Sequence, residues 1–187
     1  MKRTGLMLTA LVFGAMLVAP QVEAQTRFGI AAGLAVPTGD FADLAKSGFN
    51  VEGSVEFRPA TMPFGIRADV FFNQFGFDED FENFVGADGN FRAFGGALSG
   101  IFQMAGVSAT PYLLVGPTIT NLDVDIDDSS VDLDSETKFG LQGGVGVKFP
   151  LSGFTSKLEA RYHTIFTDDE NTNMFTINFG VLFGGNN

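Results

Sequence analysis

The chain of 187 residues contains no cysteine and no tryptophan, and a single histidine. Without cysteine there are no disulfides, no thiolate metal sites and no anchor for a lipid behind a leader. Basic residues are scarce, 11 against 22 acidic. That balance excludes nucleic-acid binding, which needs clustered Lys and Arg. Beyond the first residues no segment stays apolar for the ~18 positions that mark a transmembrane helix. The 24 glycines argue against a helical domain, since each costs ~1 kcal/mol relative to alanine inside a helix.

What is present begins with a leader-like start. Lys2 and Arg3 precede an uncharged apolar stretch, Leu6 to Val18, of 13 residues. Pro20 breaks it, and Val22-Glu23-Ala24 places small residues where a signal peptidase reads. The stretch is shorter than the ~20 residues of a membrane-spanning helix. Residues 1–24 are therefore expected to be a signal peptide and 25–187 one barrel domain. Taking Lys2, Arg3 and Glu23 from the 11 basic and 22 acidic residues leaves 9 and 21, a net of −12.

Period-2 alternation recurs eight times after the leader. In one segment Phe49, Val51, Val55 and Phe57 oppose Asn50, Glu52, Ser54 and Glu56. In the next Phe64, Ile66, Ala68, Val70 and Phe72 oppose Gly65, Arg67, Asp69 and Asn73. Further on, Phe139, Leu141, Val145, Val147 and Phe149 oppose Lys138, Gly140, Gln142 and Lys148. Leu158, Ala160 and Tyr162 oppose Lys157, Glu159, Arg161 and His163. The fifth segment, Thr110 to Thr120, is ambiguous in facing because Leu113, Leu114 and Val115 are consecutive.

Each segment is expected to cover ~10 to 12 residues, enough for a tilted strand to cross a bilayer. Short turns (Pro59 to Pro63, Met104 to Ser108, Pro150 to Gly153) alternate with longer polar links. The links run about Gly39 to Ser47, Gly76 to Asn90, Asn121 to Glu136 and Thr167 to Asn173, and most of the acid sits in them. Brief turns on one rim and long loops on the other is the arrangement of outer-membrane barrels.

A soluble lipocalin-like barrel also alternates, with its apolar face inward. Here the non-apolar face is rich in Gly and Ala, which suits a narrow lumen and not a solvated sheet. The ionised residues Glu52, Glu56, Arg67, Asp69, Lys138, Lys148, Lys157, Glu159 and Arg161 share that face. A basic side chain facing lipid at mid-membrane costs ~2–4 kcal/mol. Only Arg92 falls on the apolar side, at a strand end. The expected fold is an all-β, eight-stranded antiparallel up-and-down transmembrane barrel. Its inward charges are expected to form a closed salt-bridge network, because an unpaired buried charge costs several kcal/mol.

The mature chain resembles the small outer-membrane barrels of the OmpA and OmpX type, including the opacity-protein-like group. The resemblance spans Gln25 to Phe183. It is carried by the last strand, Met174-Phe-Thr-Ile-Asn-Phe-Gly-Val-Leu-Phe183, by Thr110-Pro-Tyr-Leu-Leu-Val-Gly116 and by Leu158-Glu-Ala-Arg-Tyr162. It implies a place in the outer membrane among its lipid and lipopolysaccharide, with insertion by the barrel-assembly machinery. Two features depart from the pattern. Gly184 to Asn187 follow the aromatic residue on which members usually end, and Phe replaces the usual Tyr and Trp of the girdles.

Chemistry has few candidates. Eight-stranded lipid A deacylases carry a His and a Ser two residues apart on one strand, whereas Ile165 stands two after His163 and Thr164 faces the other way. No catalytic residue, cofactor or metal is expected. Asp123, Asp125, Asp127 and Asp128 form a weak divalent-cation candidate. They lack the Gly and Glu of a calcium loop, and Asp alternating with Val and Ile equally fits a strand extended beyond the membrane. The expected function is structural or surface-interacting, in envelope integrity or adhesion, through acidic extracellular loops that meet surface ligands or host and neighbour molecules. The alternative is a narrow channel or small-ligand carrier; a lipid A-modifying enzyme and a soluble binder rank below it.

Overall fold

The computed structural model describes residues 24–59, 62–85, 87, 89–104, 108–126, 135–167 and 171–184. The expected leader lies outside them, apart from Ala24, whose backbone opens the first strand. Eight strands follow in order: β1 (Ala24–Thr38), β2 (Gly48–Pro59), β3 (Phe64–Gly76), β4 (Gly89–Gln103), β5 (Thr110–Ile126), β6 (Glu136–Leu151), β7 (Phe154–Ile165) and β8 (Thr172–Gly184). Each pairs antiparallel with its sequence neighbours, and β1 pairs with β8, so the sheet closes into a barrel with no free edge.

The side-chain period of two puts every strand's bulky residues on one face. Phe28, Ile30, Val70, Leu98, Val115, Phe139 and Phe179 all point outward and are exposed, Val115 by 66% and Phe139 by 69%. Arg67, by contrast, is 0% exposed. The barrel is thus apolar outside and ionised inside, the reverse of a water-soluble barrel. The facing of β5 is settled too. Leu114 turns inward with Tyr112, Thr118 and Thr120 and packs on Ile101, while Leu113, Val115 and Ile119 turn outward.

The strands are longer than expected, 15 residues in β4, 17 in β5 and 16 in β6. The stretch Asn121 to Ile126, expected in a loop, continues β5 and pairs with Phe94 to Gly89 of β4. A crossing needs only ~9–11 residues, so these ends rise past the bilayer on the long-loop side. Ser152 and Gly153 make the tight turn between β6 and β7, where Gly153 has φ of 90°, a conformation that favours glycine.

The long links are more structured than their polarity suggested. The second carries a short helix, α1 (Glu79–Val85). Asp78 starts it, its carboxylate accepting from the Asp80 amide at 3.2 Å, and Glu79, Asp80 and Glu82 favour the positive end of the helix. The first link makes a 3-10 turn (Gly39–Asp43) and then folds back onto the end of β3. There the Lys46 amide donates to the Gly76 carbonyl at 2.8 Å and the Asp78 amide to the Leu44 carbonyl at 2.9 Å.

Candidate functional site in the barrel lumen

The lumen is filled in layers. Near the short-turn rim, the Lys148 ammonium of β6 lies 2.5 and 2.7 Å from the two carboxylate oxygens of Glu56 on β2. The Gln103 amide donates to the same carboxylate at 3.0 Å, and the Lys148 ammonium sits 4.8 Å from the centre of the Tyr112 ring. Glu56 is directly opposite Arg67 in the β2–β3 register. Its ion pair nevertheless forms across the lumen with Lys148 and not with that neighbour.

The next layer is a continuous network. The Arg67 guanidinium forks onto Glu159, at 2.7 Å through Nη1 and 3.0 Å through Nη2, a bidentate geometry that lysine could not supply. Its Nε lies 2.9 Å from Asp69. Glu159 also accepts from the Tyr112 hydroxyl and pairs with Arg161 Nε. Arg161 reaches Glu52 at 2.6 Å and Asp69 at 3.5 Å, and Lys157 reaches Glu52 at 2.6 Å. Gln142 accepts from Arg161 at 3.4 Å and donates to Ser99 at 2.7 Å. Four carboxylates (Glu52, Glu56, Asp69, Glu159) thus meet four cations (Arg67, Lys148, Lys157, Arg161) and sum to zero. All eight side chains are buried.

Lys138 lies elsewhere. Its ammonium is 2.9 Å from Glu136 at the long-loop end of β6, and its side chain is partly exposed. Asp123 and Asp125 stand on β5 instead of in a loop, and Asp125 pairs with Arg92 at 2.6 Å. Asp127 and Asp128 lie outside the described residues. No cluster of metal-ligating side chains forms among the described residues.

Above the ions, His163 is buried with its ring 5.6 Å from Phe71, and Thr176 Oγ1 lies 3.4 Å from His163 Nε2. An imidazole beside a hydroxyl is the raw material of a nucleophile. Here both groups are sealed inside the lumen, away from any lipid substrate. The Asn50 amide donates to Asn73 at 2.6 Å in the same region.

The outer mouth is apolar, which the sequence did not suggest. Ala35, Ala45, Phe75, Ile165 and Met174 form a buried cluster with Phe41, Phe91 and Leu122 against it. Phe41, from the 3-10 turn, stands edge-on to Phe75 at 5.3 Å and to Phe91 at 5.5 Å. Tyr112 was also missed as a member of the network. Its parity with Gly116, Thr118 and Thr120 would have found it, but the consecutive Leu113-Leu114-Val115 masked that signal.

Residues 7–183 match the outer membrane protein beta-barrel domain family. The chain belongs to that family. Its place is therefore the outer membrane, with the short turns on the periplasmic rim and the long links on the outer one. No curated protein matches the sequence. Several solved structures share the fold. Neisserial surface protein A superposes with a TM-score of 0.66 at 19% identity, over 87% of this chain and 99% of that one. Ail, the attachment invasion locus protein of Yersinia pestis, gives 0.50 at 21%, over 86% and 97%. The outer membrane enzyme PagL gives 0.50 at 15%, over 84% and 98%. At these identities the likeness is one of fold.

Proposed function

We propose that this barrel is a non-catalytic scaffold of the outer membrane, with a structural or surface-interaction role in envelope integrity or adhesion. The observation that carries this is the lumen. Eight buried charges satisfy one another across it, and aromatic side chains occupy the mouth above. A lumen of eight strands is filled by side chains, and here the filling neutralises its own central charges, leaving little to attract a permeant ion. What the molecule offers the exterior is then its acidic links. One structural relative, Ail, bears an attachment role in its name, which supports the adhesion side of this proposal. In the same scheme residues 1–24 direct export, the barrel-assembly machinery inserts the chain, and lipid and lipopolysaccharide surround it.

The test is conductance. Purified barrel in planar bilayers should give no sustained channel currents while migrating as a folded, heat-modifiable band on detergent gels. Steady single-channel steps that disappear on boiling would instead establish the narrow-channel alternative.

A further inference from the structure

We infer that the outer mouth is a binding site for a small neutral aromatic molecule. A cavity of about 200 Å³ lies between the first link and the upper ends of β3, β4, β5 and β8. Its walls include Phe41, Leu44, Phe75, Phe91, Leu122 and Met174. An apolar cavity of ~150 Å³ remains dry and is large enough for a benzene ring. Water gains little from such walls, whereas a ring recovers the dispersion contacts that an empty space forfeits.

Two features of the site select the ligand. The Phe41, Phe75, Phe77 and Phe91 rings already meet one another edge-on or tilted, at 4.8 to 5.5 Å. A guest ring would extend the same packing, which aromatic pairs favour beyond the area they bury. Charge is discouraged. Arg92, the cation at the wall, is engaged by Asp125 at 2.6 Å, and Asp123, also at the wall, alternates with the inward-packed Leu122 and so turns its carboxylate to the outer face of β5; a charged guest would lose its water without gaining a partner inside the cavity. Below, the Asn50–Asn73 pair and the ion network close the lumen, so the molecule is retained at the mouth and not passed on.

The processed chain offers its own reporters. Met174 lines the cavity, while Met62 and Met104 sit at the opposite rim; the other three of the six methionines fall in the leader. The protein, labelled with carbon-13 at methionine methyls and held in phosphatidylcholine nanodiscs, is titrated with fluorobenzene. The Met174 methyl should shift along a saturable curve, and Met62 and Met104 should drift only linearly as the probe partitions into lipid. Filling the cavity by Ala93→Phe, or more gently by Leu122→Phe, should weaken the saturable component at least tenfold in a barrel whose gel shift is intact. The inference is overturned if Met174 tracks the two distant methionines, or if folded filled variants saturate at the wild-type concentration.

Discussion

Replacing Glu159 by glutamine removes one charge from the centre of the ion network and changes almost no volume. Glu159 is the shared acceptor of the Arg67 fork, of Arg161 and of the Tyr112 hydroxyl. Its loss leaves three carboxylates facing four cations inside a lumen that excludes water. Breaking a buried pair on one side costs ~3–5 kcal/mol. Asp69 and Glu52 remain beside the two arginines, so the lower part of that range, ~3 kcal/mol, is expected. At 1.4 kcal/mol per decade this is about a hundredfold in the unfolding equilibrium. The assay is guanidinium unfolding of the barrel in phospholipid vesicles, followed by loss of the heat-modifiable band. The double variant Glu159→Leu, Arg67→Met restores equal numbers of the two signs, and should recover at least half of the loss, since apolar replacement of a whole buried pair is often neutral. A Glu159→Gln barrel within ~0.5 kcal/mol of wild type, the range of an inconsequential surface change, would refute the claim that these charges balance in a dry lumen.

Three further outcomes follow from the same geometry. Gly146→Val would place a Cβ 2.3 Å from the Tyr112 ring, and the overpacking should cost ~1–3 kcal/mol, with Tyr112→Leu returning most of it in the same unfolding assay. Leu98→Arg puts a cation on the lipid face and should lower stability in vesicles by up to ~2–4 kcal/mol. Lys46→Ala removes the ion pairs with Glu79 and Glu82 but leaves the backbone bonds that hold the first link, and it should leave the unfolding midpoint in vesicles unchanged, because those pairs are largely solvated.

Which features could be read from the residues, and which could not, follows from how far each interaction reaches. Alternation is local, and in β2, β3, β6, β7 and β8 it marks the lipid face residue by residue. It fails where apolar residues run together, as at Leu113-Leu114-Val115, because parity then needs the rest of the strand. Shared facing placed Glu52, Asp69, Glu159 and Arg161 together, yet the partners themselves depend on closure. Register sets Glu56 beside Arg67, while the ammonium it meets is 92 positions away on the far wall. The apolar mouth was illegible for another reason. Phe75, Phe77 and Phe91 lie in or beside a link whose acid reads as solvated loop, and only the fold-back of the first link onto β3 brings Phe41 over them.

The order of assembly can be argued from these cross-lumen ties. The hydrogen-bond ladder joins each strand only to its neighbours, whereas Glu56–Lys148 spans β2 to β6, Glu52–Lys157 spans β2 to β7, and Arg67–Glu159 spans β3 to β7. None of these can form in a flat sheet; each needs the cylinder rolled up. The network should therefore be absent from the transition state for closure and appear only as the barrel completes. Destabilisation by Glu159→Gln should then fall on the unfolding rate. At ~3 kcal/mol this means roughly a hundredfold faster opening with a refolding rate changed less than about threefold. Stopped dilution into and out of denaturant in vesicles measures both limbs. A variant that refolds a hundredfold slower but opens at the wild-type rate would place the charges in the closure nucleus and reverse the proposed order.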